Sequence, residues 1–187
     1  QISLMRDLAL TEDEYQYLTS LPFFQQDYLN WLKTFRFNPA QVQVSNEKGR
    51  LKVRITGLWY ETILWEVPLL AVISETIHRH RTPDVGTEQA ISHLKEKLAR
   101  FRQDYADVDL SQFRISDFGT RRRFNGEWHF EVVKTLKEAL PESFTGTSNV
   151  WMAKELGLTP IGTMAHEYLQ ACQVLGPTLR YFQKFAF

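Results

Sequence analysis

Phe118, Arg121 and His166 are the residues of this 187-residue chain whose types and settings could do chemistry. The first two lie in Asp117-Phe118-Gly119-Thr120-Arg121-Arg122-Arg123. An arginine fork pairs bidentately with carboxylate or phosphate. Phe118 offers a flat stacking face, and Gly119 lets the backbone come close to a ligand. A threonine hydroxyl next to a helix N-terminus adds a cap and an anion-attracting end. Together these describe a site for a planar or anionic small molecule. The same run also reads as a solvated helix start with Phe118 in the core. Asp117 is either a ligand contact or an acceptor for nearby backbone donors. His166, in Gly162-Thr163-Met164-Ala165-His166-Glu167, has the chemistry of a nucleophile, a general base or a phosphate ligand. A histidine that merely caps or packs at a helix start is the plainer reading, and position alone favours it. The other histidines offer less. His78 and His80 are two apart on a helical pattern and face different ways. His93 and His129 have no partner at metal-ligand spacing. Cys172 has no neighbouring base and reads as a buried, inert thiol.

The elements around these residues repeat. Strand-like runs at 113–116, 142–145 and 159–161 each meet a Gly-Thr pair, Gly119-Thr120, Gly146-Thr147 and Gly162-Thr163, and each leads toward a helix-like run. Strand–turn–helix repeats imply parallel strands joined by right-handed crossovers, with functional loops at the strands' carboxyl ends. Three such turns predict one shared pocket, to which Thr147 and Thr163 would add hydroxyls. Upstream the pattern differs. Thr11 and Glu14 form a capping box for a helix over 12–20. A second helix is expected over 25–35, then a hairpin of 41–44 with 50–56 whose Val, Leu and Ile face packs inward. A third strand is possible over 60–64. A helix over 68–80 tolerates Pro68 in its first turn, residues 82–86 form a loop, and Thr87 caps a helix reaching 105. The change near residue 110 divides the chain into an α+β part, 1–110, and a strand–helix part, 111–187.

Composition narrows the function classes. Lys+Arg and Asp+Glu are both 22, so the formal net charge is zero, which disfavours non-specific attraction to nucleic acid or an anionic membrane. One cysteine allows no internal disulfide, which fits a reducing compartment. With no membrane-length apolar run and no signal-peptide pattern, a cytoplasmic location is expected. The chain opens on Gln1, as a partial or processed chain would.

Longer stretches of the sequence resemble the bacterial nicotinate phosphoribosyltransferases. The resemblance rests on Asp117-Phe-Gly-Thr-Arg-Arg-Arg-Phe124, Gly146-Thr-Ser-Asn149, Gly162-Thr-Met-Ala-His-Glu167 and Trp65-Glu-Val-Pro-Leu-Leu-Ala-Val-Ile-Ser-Glu75, with Asp27-Tyr-Leu-Asn-Trp-Leu32 and Phe35-Arg-Phe-Asn-Pro39 further upstream. These run in order over almost the whole chain. The resemblance implies an α/β fold: an α+β N-terminal part followed by the first strand–helix units of an irregular α/β barrel, incomplete here. The activity implied joins nicotinate to phosphoribosyl pyrophosphate, giving nicotinate mononucleotide and pyrophosphate for NAD salvage. It also implies ATP and Mg2+, a transiently phosphorylated histidine at His166, a ring-stacking Phe118, and Arg121 beside base and phosphate. Relatives that use nicotinamide carry an acidic residue where Ser148 stands, so Ser148 implies the acid as substrate. Asp117, Gly119, Thr147 and Thr163 complete the expected binding residues. A homodimer is also implied.

Family members are about twice this long. The resemblance therefore places a segment lending Tyr and Asp from a neighbouring subunit before Gln1. After Phe187 it places the remaining strands, an acidic metal-binding segment and a glycine-rich loop for the ribose phosphate. Alone, the 187 residues are expected to be inactive. A non-catalytic module that retains the fold to bind a ligand or partner is the alternative, and a nucleic-acid binder using Arg121 to Arg123 is a third reading.

Overall fold

The computed structural model describes residues 1–82, 86–163 and 166–175. The expected loop at 82–86 falls largely outside these residues, as do Met164, Ala165 and the end of the 111–187 part.

After a 3-10 turn, Ile2–Asp7, come α1 (Glu12–Thr19) and α2 (Gln26–Thr34). The capping box forms: the Glu14 N–H donates to Thr11 Oγ1 at 3.2 Å, and the Thr11 N–H donates to Glu14 Oε2 at 2.8 Å. An aromatic ladder then runs from Phe24 through Tyr28, Trp31, Phe35 and Phe37 to the fully buried Trp65. Strands β1 (Val42–Glu47) and β2 (Arg50–Ile55) form the expected antiparallel hairpin. Its apolar face is only partly covered. Val44 is 53% and Leu51 58% exposed, so the inward packing expected for that face holds at the Val42–Ile55 end and fails toward the turn.

No strand forms over residues 60–64. They lie in α3 (Trp59–Thr62) and a 3-10 turn, Ile63–Trp65, leading into α4 (Glu66–Arg81). The cause is visible in one amide. Gln41 donates to Glu61 Oε2 at 2.8 Å and accepts from Trp65 Nε1 at 3.1 Å. Glu61 and Trp65 are four apart, a spacing that a helical turn brings to one side and a strand would hold well apart. Next comes α5 (Thr87–Asp104), whose cap position is Gly86 rather than Thr87.

Beyond it, β3 (Ile115–Asp117), α6 (Gly126–Ala139), β4 (Phe144–Thr147), α7 (Val150–Leu156), β5 (Thr159–Pro160) and α8 (His166–Leu175) alternate as expected. The strands pair in parallel in the order β3-β4-β5. Leu98 of α5, Val133 of α6, Leu140, Phe144 of β4 and Met152 of α7 form the core beneath this sheet. Asn125 and Asn149 cap α6 and α7, their side chains accepting from the Trp128 and Met152 N–H groups. Gly146 has φ +150°, and a Cβ there would lie 2.1 Å from the Thr159 carbonyl oxygen, so β5 approaches β4 as closely as glycine allows.

Side-chain contacts tie the parts together. Arg123 pairs with Glu75 at 3.0 Å, and the Ser74 hydroxyl donates to the Arg123 carbonyl at 2.9 Å, docking α4 against the turn after β3. Lys154 on α7 meets Asp13 on α1 at 2.5 Å.

Candidate ligand cleft at the strand ends

The carboxyl ends of β3, β4 and β5 open on a cleft of about 530 Å³. Phe118, Thr120 and Arg121 line it from the first strand end, Ser148 and Asn149 from the second, Gly162, Thr163 and His166 from the third, and Glu66 and Val67 from α4. The three strand ends thus converge as expected, and they bring Phe118, Arg121, Ser148, Thr163 and His166 to one place.

Phe118 is 48% exposed, so the core reading of this ring is wrong. Its presentation follows from the backbone around it. Asp117 ends β3 with its side chain turned inward, and alternation along the strand sends Phe118 the other way. Arg121 stands on a 3-10 turn, Thr120–Arg122, and its guanidinium pairs with Glu66. Glu66 is a cleft residue the sequence reading missed, because 55 residues separate the two in the chain. The three arginines do not act alike. Arg123 is tied to Glu75 in the joint with α4, Arg121 lines the cleft, and Arg122 is exposed. His166 is exposed and opens α8, facing the cleft.

Asp117, Gly119 and Thr147 are not among the residues that line the cleft; they lie behind it, bonded to one another. Gly146-Thr147 is the end of β4, not a turn, and Thr147 is fully buried. Its hydroxyl donates to Asp117 Oδ2 at 2.6 Å. His129 of α6, 5% exposed, places Nε2 at 2.9 Å from the same oxygen. Asp117 Oδ1 accepts the Gly119 N–H at 2.9 Å, and the Asp117 carbonyl accepts the Ser148 N–H at 2.8 Å. Burial of the Asp117 carboxyl works to raise its pKa. The donors from His129, Thr147 and Gly119 outweigh it and hold the group below the ordinary aspartate range. His129 was the second residue missed. Its signal was helical register: it stands four before Val133 and seven before Leu136, on the face of α6 that packs inward. Cys172, expected to be buried, is half-buried on α8.

Among the described residues no group of three or more His, Cys, Asp or Glu side chains is placed to hold a metal ion. No helix among them is long and apolar enough to cross a membrane.

A three-stranded parallel sheet whose strand ends bear an exposed ring, an arginine, hydroxyls and a histidine defines an α/β protein with a cleft at the carboxyl ends of its strands. Residues 1–74 match the nicotinate phosphoribosyltransferase (NAPRTase) N-terminal domain, and residues 113–187 match the nicotinate phosphoribosyltransferase (NAPRTase) family. The nicotinate phosphoribosyltransferase of Pectobacterium atrosepticum is 58% identical over 186 residues, and that of Yersinia enterocolitica 55%. Both alignments take in all of this chain and 46% of the relative, so the chain spans about half the length of the curated relatives it matches. Among solved structures, the nicotinate phosphoribosyltransferase of Vibrio cholerae superposes with a TM-score of 0.88 at 34% identity, covering 93% of this chain and 42% of that one. The Porphyromonas gingivalis enzyme superposes with a TM-score of 0.80 at 36% identity, covering 90% and 42%. The chain belongs to the nicotinate phosphoribosyltransferase family.

Proposed function

We propose that this chain carries the base-binding half of a nicotinate phosphoribosyltransferase site, which joins nicotinate to phosphoribosyl pyrophosphate in NAD synthesis. The observation that carries it is the meeting of Phe118, Arg121, Ser148 and His166 in one cleft. Nicotinate is a planar ring bearing a carboxylate. Phe118 would stack on the ring, at about 0.5–1.5 kcal/mol beyond simple burial. Arg121 would take the carboxylate or the growing phosphate, exchanging Glu66 for the ligand. Ser148 is neutral and so does not repel a carboxylate.

His166 would accept a phosphoryl group from ATP. A lone pair of its imidazole attacks the γ-phosphorus, an N–P bond forms, the P–O bond to ADP breaks, and ADP leaves with that electron pair. Water later cleaves the N–P bond and inorganic phosphate departs. The Thr163 hydroxyl is a donor for the phosphate in the same cleft. The working protein would be a soluble cytoplasmic homodimer, with Mg2+ and the ribose phosphate held by residues other than those described. Support for the reading is the family, the shared cleft and the side chains within it.

Incubation with labelled ATP tests it. Label is expected on the chain and absent from His166→Ala. Nicotinate is expected to bind while the 187-residue chain alone forms no nicotinate mononucleotide. A chain that binds nicotinate but never takes label would instead be a non-catalytic binding module.

A further inference from the structure

A closely held polar group lies beneath the cleft rather than in it. His129 is 5% exposed, its Nε2 is 2.9 Å from Asp117 Oδ2, and its Nδ1 is buried with no hydrogen-bond partner among the described residues. We propose that His129 is a positioning residue: as a neutral imidazole donating from Nε2–H, it locks Asp117 so that the 117–121 turn presents Phe118 and Arg121 to the ligand. This rests on the reading that the cleft binds nicotinate.

The tautomer follows from the partners, not from a visible hydrogen. An ionised carboxylate only accepts, so His129 Nε2 must carry a proton. A second proton on Nδ1 would be a buried donor without an acceptor, which costs free energy, the more so for a charged group. The Nδ1–H tautomer would aim the Nε2 lone pair at the carboxylate and strand the same buried N–H. The Nε2–H tautomer serves the carboxylate and strands no buried N–H, leaving only the Nδ1 lone pair without a partner.

The lock is tight on every side. Asp117 Oδ2 takes both His129 and the Thr147 hydroxyl, and Oδ1 takes the Gly119 N–H. A Cβ on Gly119 would fall 2.8 Å from Asp117 Oδ1 and 3.1 Å from His129 Nε2, so the turn lies directly on the pair. Phe118 sits between two residues fixed this way. The Arg122 N–H closes the next turn on the Gly119 carbonyl at 2.9 Å, which sets the direction of Arg121. His129 does not line the cleft itself, so it acts through Asp117.

The test uses the chain with 15N-labelled histidine, together with His129→Leu and His129→Gln. Nitrogen shifts of His129 at neutral pH are expected to be those of the Nε2–H tautomer. Imidazolium or Nδ1–H shifts overturn the proposal. Folded His129→Leu, similar in volume but without a donor, is expected to bind nicotinate about tenfold more weakly and to exchange the Gly119 amide about tenfold faster. The Gln variant keeps a donor and is expected to restore both to within about threefold. Wild-type affinity and Gly119 protection in a folded Leu variant would sink the idea. If the Leu variant does not fold, the Gln variant decides: near-wild-type affinity supports the lock, and a tenfold loss in folded protein overturns it. If the unaltered chain fails to bind nicotinate, the proposed function falls, and the tautomer with Gly119 exchange still judges the role of His129.

Discussion

Gly146→Ala should damage the sheet and the cleft together. The Cβ it adds lies 2.1 Å from the Thr159 carbonyl oxygen and 3.0 Å from Ile161 Cδ1. Ordinary contact begins at 3.4 Å, so β5 must retreat by about 1.3 Å, and the obstacle is backbone rather than a side chain that could swing away. The retreat breaks the parallel pairing Gly146↔Thr159 and Thr147↔Pro160, and with it the Ile161 N–H bond to the Thr147 carbonyl at 2.9 Å. Hydrogen bonds of this kind contribute about 1 kcal/mol each, and alanine at a φ of +150° costs about 1–3 kcal/mol more. A loss of ~3 kcal/mol follows, or roughly 6–12 °C in Tm for a domain of this size. The same shift carries Ile161, Gly162 and Thr163 away from Phe118, so nicotinate affinity should fall as well. Thermal and urea unfolding with a nicotinate titration give the answer. A Tm within roughly 2 °C of the unaltered chain would refute the reasoning, since the close approach of β5 to β4 could then not be real.

Asp117 makes a prediction about pH. Its folded pKa is held below the unfolded value of about 3.9. Its contribution is therefore present above the unfolded value and lost as pH falls through the folded one. Asp117→Asn should cost about 2 kcal/mol at pH 5–7 by urea unfolding, with the gap to the unaltered chain closing below about pH 4. A gap unchanged to about pH 2.5 would contradict the hydrogen-bonded, ionised Asp117. Glu66→Gln removes the charge that neutralises Arg121. Stability should change by no more than about 0.5 kcal/mol, and nicotinate or inorganic phosphate should bind about two- to fivefold more tightly. Weaker binding by calorimetry would mean that Glu66 helps hold the ligand.

Elements governed by near neighbours were readable in the chain. The Thr11–Glu14 box, the hairpin around Gly49 and the repeated strand–helix units each depend on residues a few positions apart, and each formed, with β4 running on through Gly146-Thr147 where a turn was expected. Failures occurred where a distant partner intervened. Residues 60–64 have β-compatible side chains, but Gln41 draws Glu61 and Trp65 to one amide and the segment winds into helix. The hairpin's alternation was right, yet alternation does not say whether anything covers Val44 and Leu51.

The cleft divides in the same way. Residue type and strand–turn–helix spacing were enough to put Phe118, Arg121, Ser148, Thr163 and His166 at strand ends, because parallel strands deliver their carboxyl ends to one edge. Which groups face a ligand and which hold the floor was decided by tertiary contacts alone. Asp117 and Thr147 looked like binding residues from their place in the motif, and became a buried pair because α6 carries His129 underneath them. Three adjacent arginines looked equivalent until α4 supplied Glu66 to one and Glu75 to another. Local spacing sets backbone path, but a carboxylate's or a guanidinium's role depends on the charge and donors within a few ångströms, and only the folded chain brings those together.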